Sequence, residues 1–77
     1  MNKQAEFIGL QLKEIRYKHR INQSQMAEQL GIKRSRLGSY EEGRAMPDIY
    51  TFLKICEVYQ LSITEFYHGL KQALKEE

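Results

Sequence analysis

The 77-residue sequence has no tryptophan, a single cysteine and a single proline. Each shortage removes a class of protein. A lone cysteine, Cys56, leaves no internal disulfide to hold a small fold together, and a free thiol suits a reducing compartment. His19, Cys56 and His68 lie too far apart in sequence to give a metal-ligand spacing. No apolar run approaches the about 20 residues that cross a bilayer, and the opening stretch MNKQAEFIGLQLKE carries no signal-peptide apolar block. The sequence has no nucleophile–base pair and no paired-acid pocket, and a chain this short has little volume for a cleft. It therefore predicts a non-enzymatic cytoplasmic protein that needs no cofactor and no metal.

What is present is an ordinary globular composition, 42% hydrophobic and 29% charged, which argues against disorder. At this length one domain is the ceiling, and most apolar side chains must be used for packing. The net charge of +2 decides little, but its distribution is uneven. Nine cations (Lys3, Lys13, Arg16, Lys18, Arg20, Lys33, Arg34, Arg36, Arg44) face five glutamates in residues 1–44, so that part carries +4. Three lysines face five acids in residues 45–77, which carry −2. A polyanionic partner would favour the first part.

Periodicity predicts an all-α chain. Phe7, Ile8, Leu12 and Ile15 recur at helical spacing between Glu6 and His19, although Gly9 weakens the start. Asn22 is a good N-cap for a second helix, whose apolar stripe is Met26, Ala27 and Leu30. Gly31 is placed to leave that helix with positive φ, and Ile32 re-enters the core. A third helix covers Lys33 or Arg34 to Glu41, with Leu37 and Tyr40 facing inward together and Gly43 as its stop. Gly38 inside it costs about 1 kcal/mol of helix propensity relative to Ala, a cost that either reflects close approach to another surface or goes uncompensated. Pro47 can open a fourth helix, with Ile49, Phe52, Leu53, Ile55, Cys56 and Tyr59 as a broad buried face. Ser62-Ile63-Thr64-Glu65 reads as a capping box for a fifth helix. After His68-Gly69 the tail LKQALKEE is again helical and has one apolar edge. Residues 1–77 thus read as one domain, with a core at about 6–68 and a tail at 69–77 that docks or dimerises.

The block Asn22–Gly43 has the layout of a helix-turn-helix, with basic and small polar residues at the start of its second helix. The ordered run is more specific than any fragment. It reads Leu12-x-x-Ile15-Arg16, then Asn22-Gln23-x-x-Met26-Ala27-x-x-Leu30-Gly31-Ile32, then Leu37-x-x-Tyr40-Glu41-x-Gly43. It closes on Pro47-x-Ile49-x-x-Phe52-x-x-Ile55-Cys56-x-x-Tyr59-x-Leu61-Ser62. This run resembles the lambda/Cro repressor-type helix-turn-helix family, also called the Xre family, over about residues 8–68. The resemblance implies a five-helix, lambda-repressor-like domain that binds double-stranded DNA, usually as a homodimer on a pseudo-palindromic operator. The sequence departs from the family at Lys33, where Ser or Thr commonly caps the reading helix, and at Gly38.

Site residues follow. Gln23 matches the family's phosphate clamp at a helix N-terminus, while Asn22 is first a cap and second a phosphate contact. Lys33 and Arg36 are expected on phosphates, as is Arg44 in the loop beyond the third helix. Arg34 and Ser35 match positions whose side chains reach base edges, and Arg34 can pair with guanine O6 and N7. Ser39 lies one turn later on the same side. Gly38 offers no side chain, which would let the helix lie deep in the groove. Arg16 and Glu41 match an interior ion pair that orients the reading helix. Ile63, Phe66, Tyr67, Leu70 and Leu74 are the expected dimer contacts. The helical spacing of the aromatic residues favours packing over base stacking.

The function expected on these grounds is a sequence-specific transcriptional regulator, a repressor by blocking polymerase. The sequence leaves activation through an RNA polymerase contact near Glu41-Glu42 open. It also leaves open an antitoxin with a toxin partner, a restriction-modification controller, and a protein-interaction module that has lost DNA binding.

Overall fold

A computed structural model describes residues 2–75. They form five α-helices: α1 Lys3–Lys18, α2 Gln23–Leu30, α3 Arg34–Glu41, α4 Ile49–Val58 and α5 Ile63–Lys75. Among the described residues there is no strand, and no helix is long and apolar enough to cross a membrane. The all-α expectation holds.

α1, α2, α4 and α5 each start where a polar side chain takes an orphan backbone donor. Asn2 accepts from Ala5 N at 3.0 Å, Asp48 from Thr51 N at 2.7 Å and Ser62 from Glu65 N at 3.2 Å. Asn22 accepts from Gln25 N at 2.8 Å, and Gln25 Oε1 accepts from Asn22 N at 2.9 Å, a reciprocal box. The acid of Asp48 is held below the usual carboxylate range by the Thr51 hydrogen bonds and, to a smaller extent, by the charge of Arg36. Pro47 therefore precedes the cap of α4 and does not occupy its first turn.

α1 to α4 stop by a shared device. Gly31 and Gly43 have positive φ, and so do Arg20 and Gln60, both at 55°. In each case the next residue closes a bond back over the turn: Ile21 N to Arg16 O, Ile32 N to Ala27 O, Arg44 N to Ser39 O, Leu61 N to Cys56 O. Ile21, Ile32 and Leu61 then pack on the core, the apolar contact that accompanies such caps.

The core is built from Ile8, Leu12, Ile15, Met26, Ala27, Leu30, Leu37, Tyr40 and Ile55. Leu12, Met26, Leu30, Leu37, Tyr40 and Ile55 are its fully buried large side chains. Two glycines set the helix spacing. A Cβ on Gly9 would lie 2.5 Å from Tyr40 O and 2.7 Å from Glu41 O, so α1 crosses the end of α3 backbone to backbone. Gly9→Ala should cost about 3 kcal/mol, the upper end of overpacking penalties, because backbone cannot yield as a side chain does. Denaturation midpoints of the two proteins check it.

Three expectations change. The tail is not a separate element, because α5 runs through Gly69 to Lys75. A Cβ on Gly69 would meet Phe7 Cζ at 2.8 Å, so this glycine is a packing device and not a helix break; Glu76 and Glu77 of the expected tail lie outside the described residues. Phe66 and Leu70, expected as dimer contacts, are partly buried and pack against the core. Phe66 sits edge-on to Phe7 and Phe52, with ring centroids at 5.7 and 5.1 Å. Ile49 and Leu53 are exposed, 71% and 46%, and not part of the buried face of α4.

Candidate nucleic-acid interface

The site begins with one buried carboxylate. Glu41 ends α3 with its side chain fully enclosed, which would be costly without partners. Arg16 of α1 supplies a fork: Nε donates to Oε2 at 2.8 Å and Nη2 to Oε1 at 3.0 Å. Gln23 Nε2, from the first turn of α2, donates to Oε1 at 3.0 Å. The Glu41 hydrogen bond and charge raise the Arg16 guanidinium above its ordinary value. Arg16 Nη1 also reaches Ile21 O at 3.4 Å. One side chain thus fixes α1, the N-terminus of α2 and the C-terminus of α3 relative to one another.

This arrangement refines Gln23. Its amide nitrogen carries two N–H groups, of which one is committed to Glu41. The other remains at the N-terminus of α2 with the backbone donors there. Asn22 uses Oδ1 in its cap, so only its amide nitrogen is left to donate outward.

On α3, Leu37, Tyr40 and Glu41 face inward. Lys33, Arg34, Ser35 and Arg36 are exposed, whereas Ser39 is half-buried. Arg36 lies close enough to Asp48 for its charge to act on that carboxyl, which places it toward the start of α4. Arg44 Nη2 meets Glu42 Oε1 at 2.7 Å with both side chains more than half exposed. An exposed pair of this kind holds its partners weakly, so Arg44 is free to exchange Glu42 for another anion.

α3 is poorly stabilised by its own sequence. Lys33 occupies the N-cap position and makes no side-chain cap hydrogen bond. The first turn contains no acid and the last turn no base. Instead Lys33, Arg34 and Arg36 crowd the positive end of the helix dipole, and Glu41 and Glu42 crowd the negative end. This is the reverse of what stabilises a helix. Open backbone donors and three cations at one exposed helix end form a surface that an anion would complete.

Sequence reasoning missed Gln25 as the second half of the α2 cap, although the Asn-x-x-Gln spacing was a readable signal. It also missed the exposed apolar side chains of α4, Ile49, Tyr50 and Leu53. No signal in periodicity separates these from buried neighbours on a short apolar helix.

Residues 12–66 match the family described as Helix-turn-helix. The HTH-type transcriptional regulator PuuR of Escherichia coli (strain K12) is 36% identical over 59 residues, which cover 77% of this chain and 32% of PuuR. The HTH-type transcriptional regulator ImmR of Bacillus subtilis (strain 168) is 35% identical over 69 residues, 90% of this chain and 54% of ImmR. From the same organism, the SPbeta prophage-derived uncharacterized HTH-type transcriptional regulator YonR is 40% identical over 58 residues, 75% of this chain and 53% of YonR. The chain spans about a third to a half of these relatives. No solved structure gives a significant match. With five helices in the expected order and a family match over most of its length, the chain belongs to the lambda/Cro-type (Xre) helix-turn-helix family.

Proposed function

We propose that this protein is a sequence-specific double-stranded DNA-binding transcriptional regulator of the cytoplasm, acting as a repressor from a pseudo-palindromic operator. The observation that carries the reading is the charge-inverted, uncapped start of α3. A phosphate backbone supplies the negative charge that α3 lacks at that end, and the major groove accepts a helix of its width. In this reading Gln23, Asn22, Lys33, Arg36 and Arg44 hold phosphates and set the pose. Arg34, Ser35 and Ser39 select bases, with Arg34 toward guanine O6 and N7. Arg16 and Glu41 contact no DNA and orient α3.

Two copies would place two α3 helices in successive major grooves, about 34 Å apart. The second copy would dock on apolar side chains that the fold leaves exposed, namely Ile63, Tyr67 and Leu74 on α5 and Ile49, Tyr50 and Leu53 on α4. A two-fold interface of this kind is self-complementary, and bound at an operator it would obstruct polymerase.

Selection of bound sites from a random duplex library tests the reading. The expected result is a palindromic consensus that relaxes at one position per half-site with Arg34→Ala. A library that stays flat overturns it. Sedimentation across a concentration series should show a dimer that Tyr50→Arg or Tyr67→Arg dissociates; a monomer at all concentrations, on and off DNA, would remove the homodimer.

A further inference from the structure

Four of the five glycines are explained inside the molecule. Gly31 and Gly43 have positive φ, at 69° and 74°, where a side chain is strained. Gly9 and Gly69 occupy close approaches that a Cβ would fill, to Tyr40 O at 2.5 Å and to Phe7 Cζ at 2.8 Å. Gly38 has none of these reasons. It lies inside α3, is not among the positive-φ residues, and a Cβ built on it meets nothing within 4 Å. Glycine is the poorest helix former after proline, and α3 is a short helix that lacks a side-chain cap. Alanine would fit the free protein and stabilise it, so the fold gives no ground for glycine here.

The place of Gly38 on the helix supplies one. It is four residues after Arg34 and three after Ser35, the spacing that puts side chains next to each other on a helix surface. It therefore lies beside the base-selecting side chains and is partly exposed on the helix surface. We propose that Gly38 is a DNA-contact position: its Cα lies directly against the duplex when α3 docks, and the missing side chain sets how deep α3 sits in the major groove. This rests on the DNA-binding reading above. It adds that the partner surface comes within van der Waals distance of the α3 backbone at its middle, and that specificity depends on a side chain that is absent.

The test measures stability and affinity in the same variants, with the duplex selected by the wild-type chain as probe. Gly38→Ala should raise Tm by about 4–8 °C and weaken binding at least tenfold. Gly38→Gln, a longer side chain that also favours helix, should weaken binding further, with Tm at or above the wild-type value. Opposite movement of the two readouts is the signature, because a glycine that matters only to folding cannot give it. Gly38→Ala that binds within twofold of wild type overturns the inference and leaves the DNA-binding reading standing. A wild-type chain that selects no duplex overturns both. Variants that lose Tm and affinity together overturn the inference in favour of a packing role.

Discussion

Arg16→Ala should lower the stability of the protein by about 3 kcal/mol and weaken DNA binding at least tenfold even at temperatures where the variant is folded. The stability loss follows from the carboxylate that would be left behind. Glu41 has a fully enclosed side chain and takes two of its three hydrogen bonds from Arg16. Removing one partner of a buried pair costs about 3–5 kcal/mol, and the low end applies because Arg16 keeps 13% exposure. For a domain of this size that is a fall in Tm of roughly 12 °C or more. The binding loss has another origin. Glu41 also holds Gln23 Nε2, so a displaced carboxylate releases the α2 N-terminus and α3 together. Replacing both ends, Arg16→Met with Glu41→Leu, should separate the two effects. An apolar pair of similar volume is often neutral or stabilising, so Tm should recover by at least half, while affinity stays low because nothing then orients Gln23. Thermal denaturation and fluorescence anisotropy on the selected duplex measure both. Arg16→Ala with normal Tm and normal affinity would show that the pair has neither role.

How much of the fold and of the site is legible in the sequence depends on the kind of residue. Caps were readable at Asn22 and Ser62, because a side chain that accepts from its own third neighbour is a local property. Turns were readable where glycine marks them, at Gly31 and Gly43. The same left-handed conformation at Arg20 and Gln60 carried no glycine; its only trace is the apolar residue that follows, Ile21 or Leu61. The meaning of Gly9 and Gly69 was hidden for a related reason. Gly9 reads locally as a helix-weakening residue and Gly69 as the start of the tail, yet each serves a contact with a distant part of the chain, Tyr40 and Phe7. Burial on α4 and α5 was the least legible. Apolar periodicity says which side chains can share a face, but not how wide a face the neighbours cover. Phe66 and Leu70 went to the core while Tyr67 and Leu74, on the same helix, stayed exposed. On the candidate interface the sequence placed Lys33, Arg34, Ser35 and Arg36 at an exposed helix start, and the structure has them there.

The second large effect is expected from neutralising that start. Lys33→Ala, Arg34→Ala and Arg36→Ala combined should weaken binding to the selected duplex by about three orders of magnitude at 0.1 M salt. A bidentate Arg–guanine contact contributes about 1–3 kcal/mol of discrimination, and charged hydrogen bonds to two phosphates contribute about 1.5–3 kcal/mol each, net of exchange with water. A net loss of roughly 4 kcal/mol corresponds to a thousandfold change. The components differ in character. Lys33→Ala and Arg36→Ala should each lower the slope of log affinity against log salt by about 0.9 per lost contact, with the consensus unchanged. Arg34→Ala should relax one position and alter the slope less. Stability should move the other way. The three cations crowd the positive end of a helix that has no acid in its first turn, so removing them relieves a repulsion of about 0.3–1 kcal/mol each. Lys33→Ser should add a side-chain cap of about 1 kcal/mol while still binding DNA less tightly than wild type. A triple variant that melts higher and binds poorly would mark α3 as a helix whose charges serve a partner. One that melts lower, or binds within threefold, would assign the cluster to the surface of the free protein.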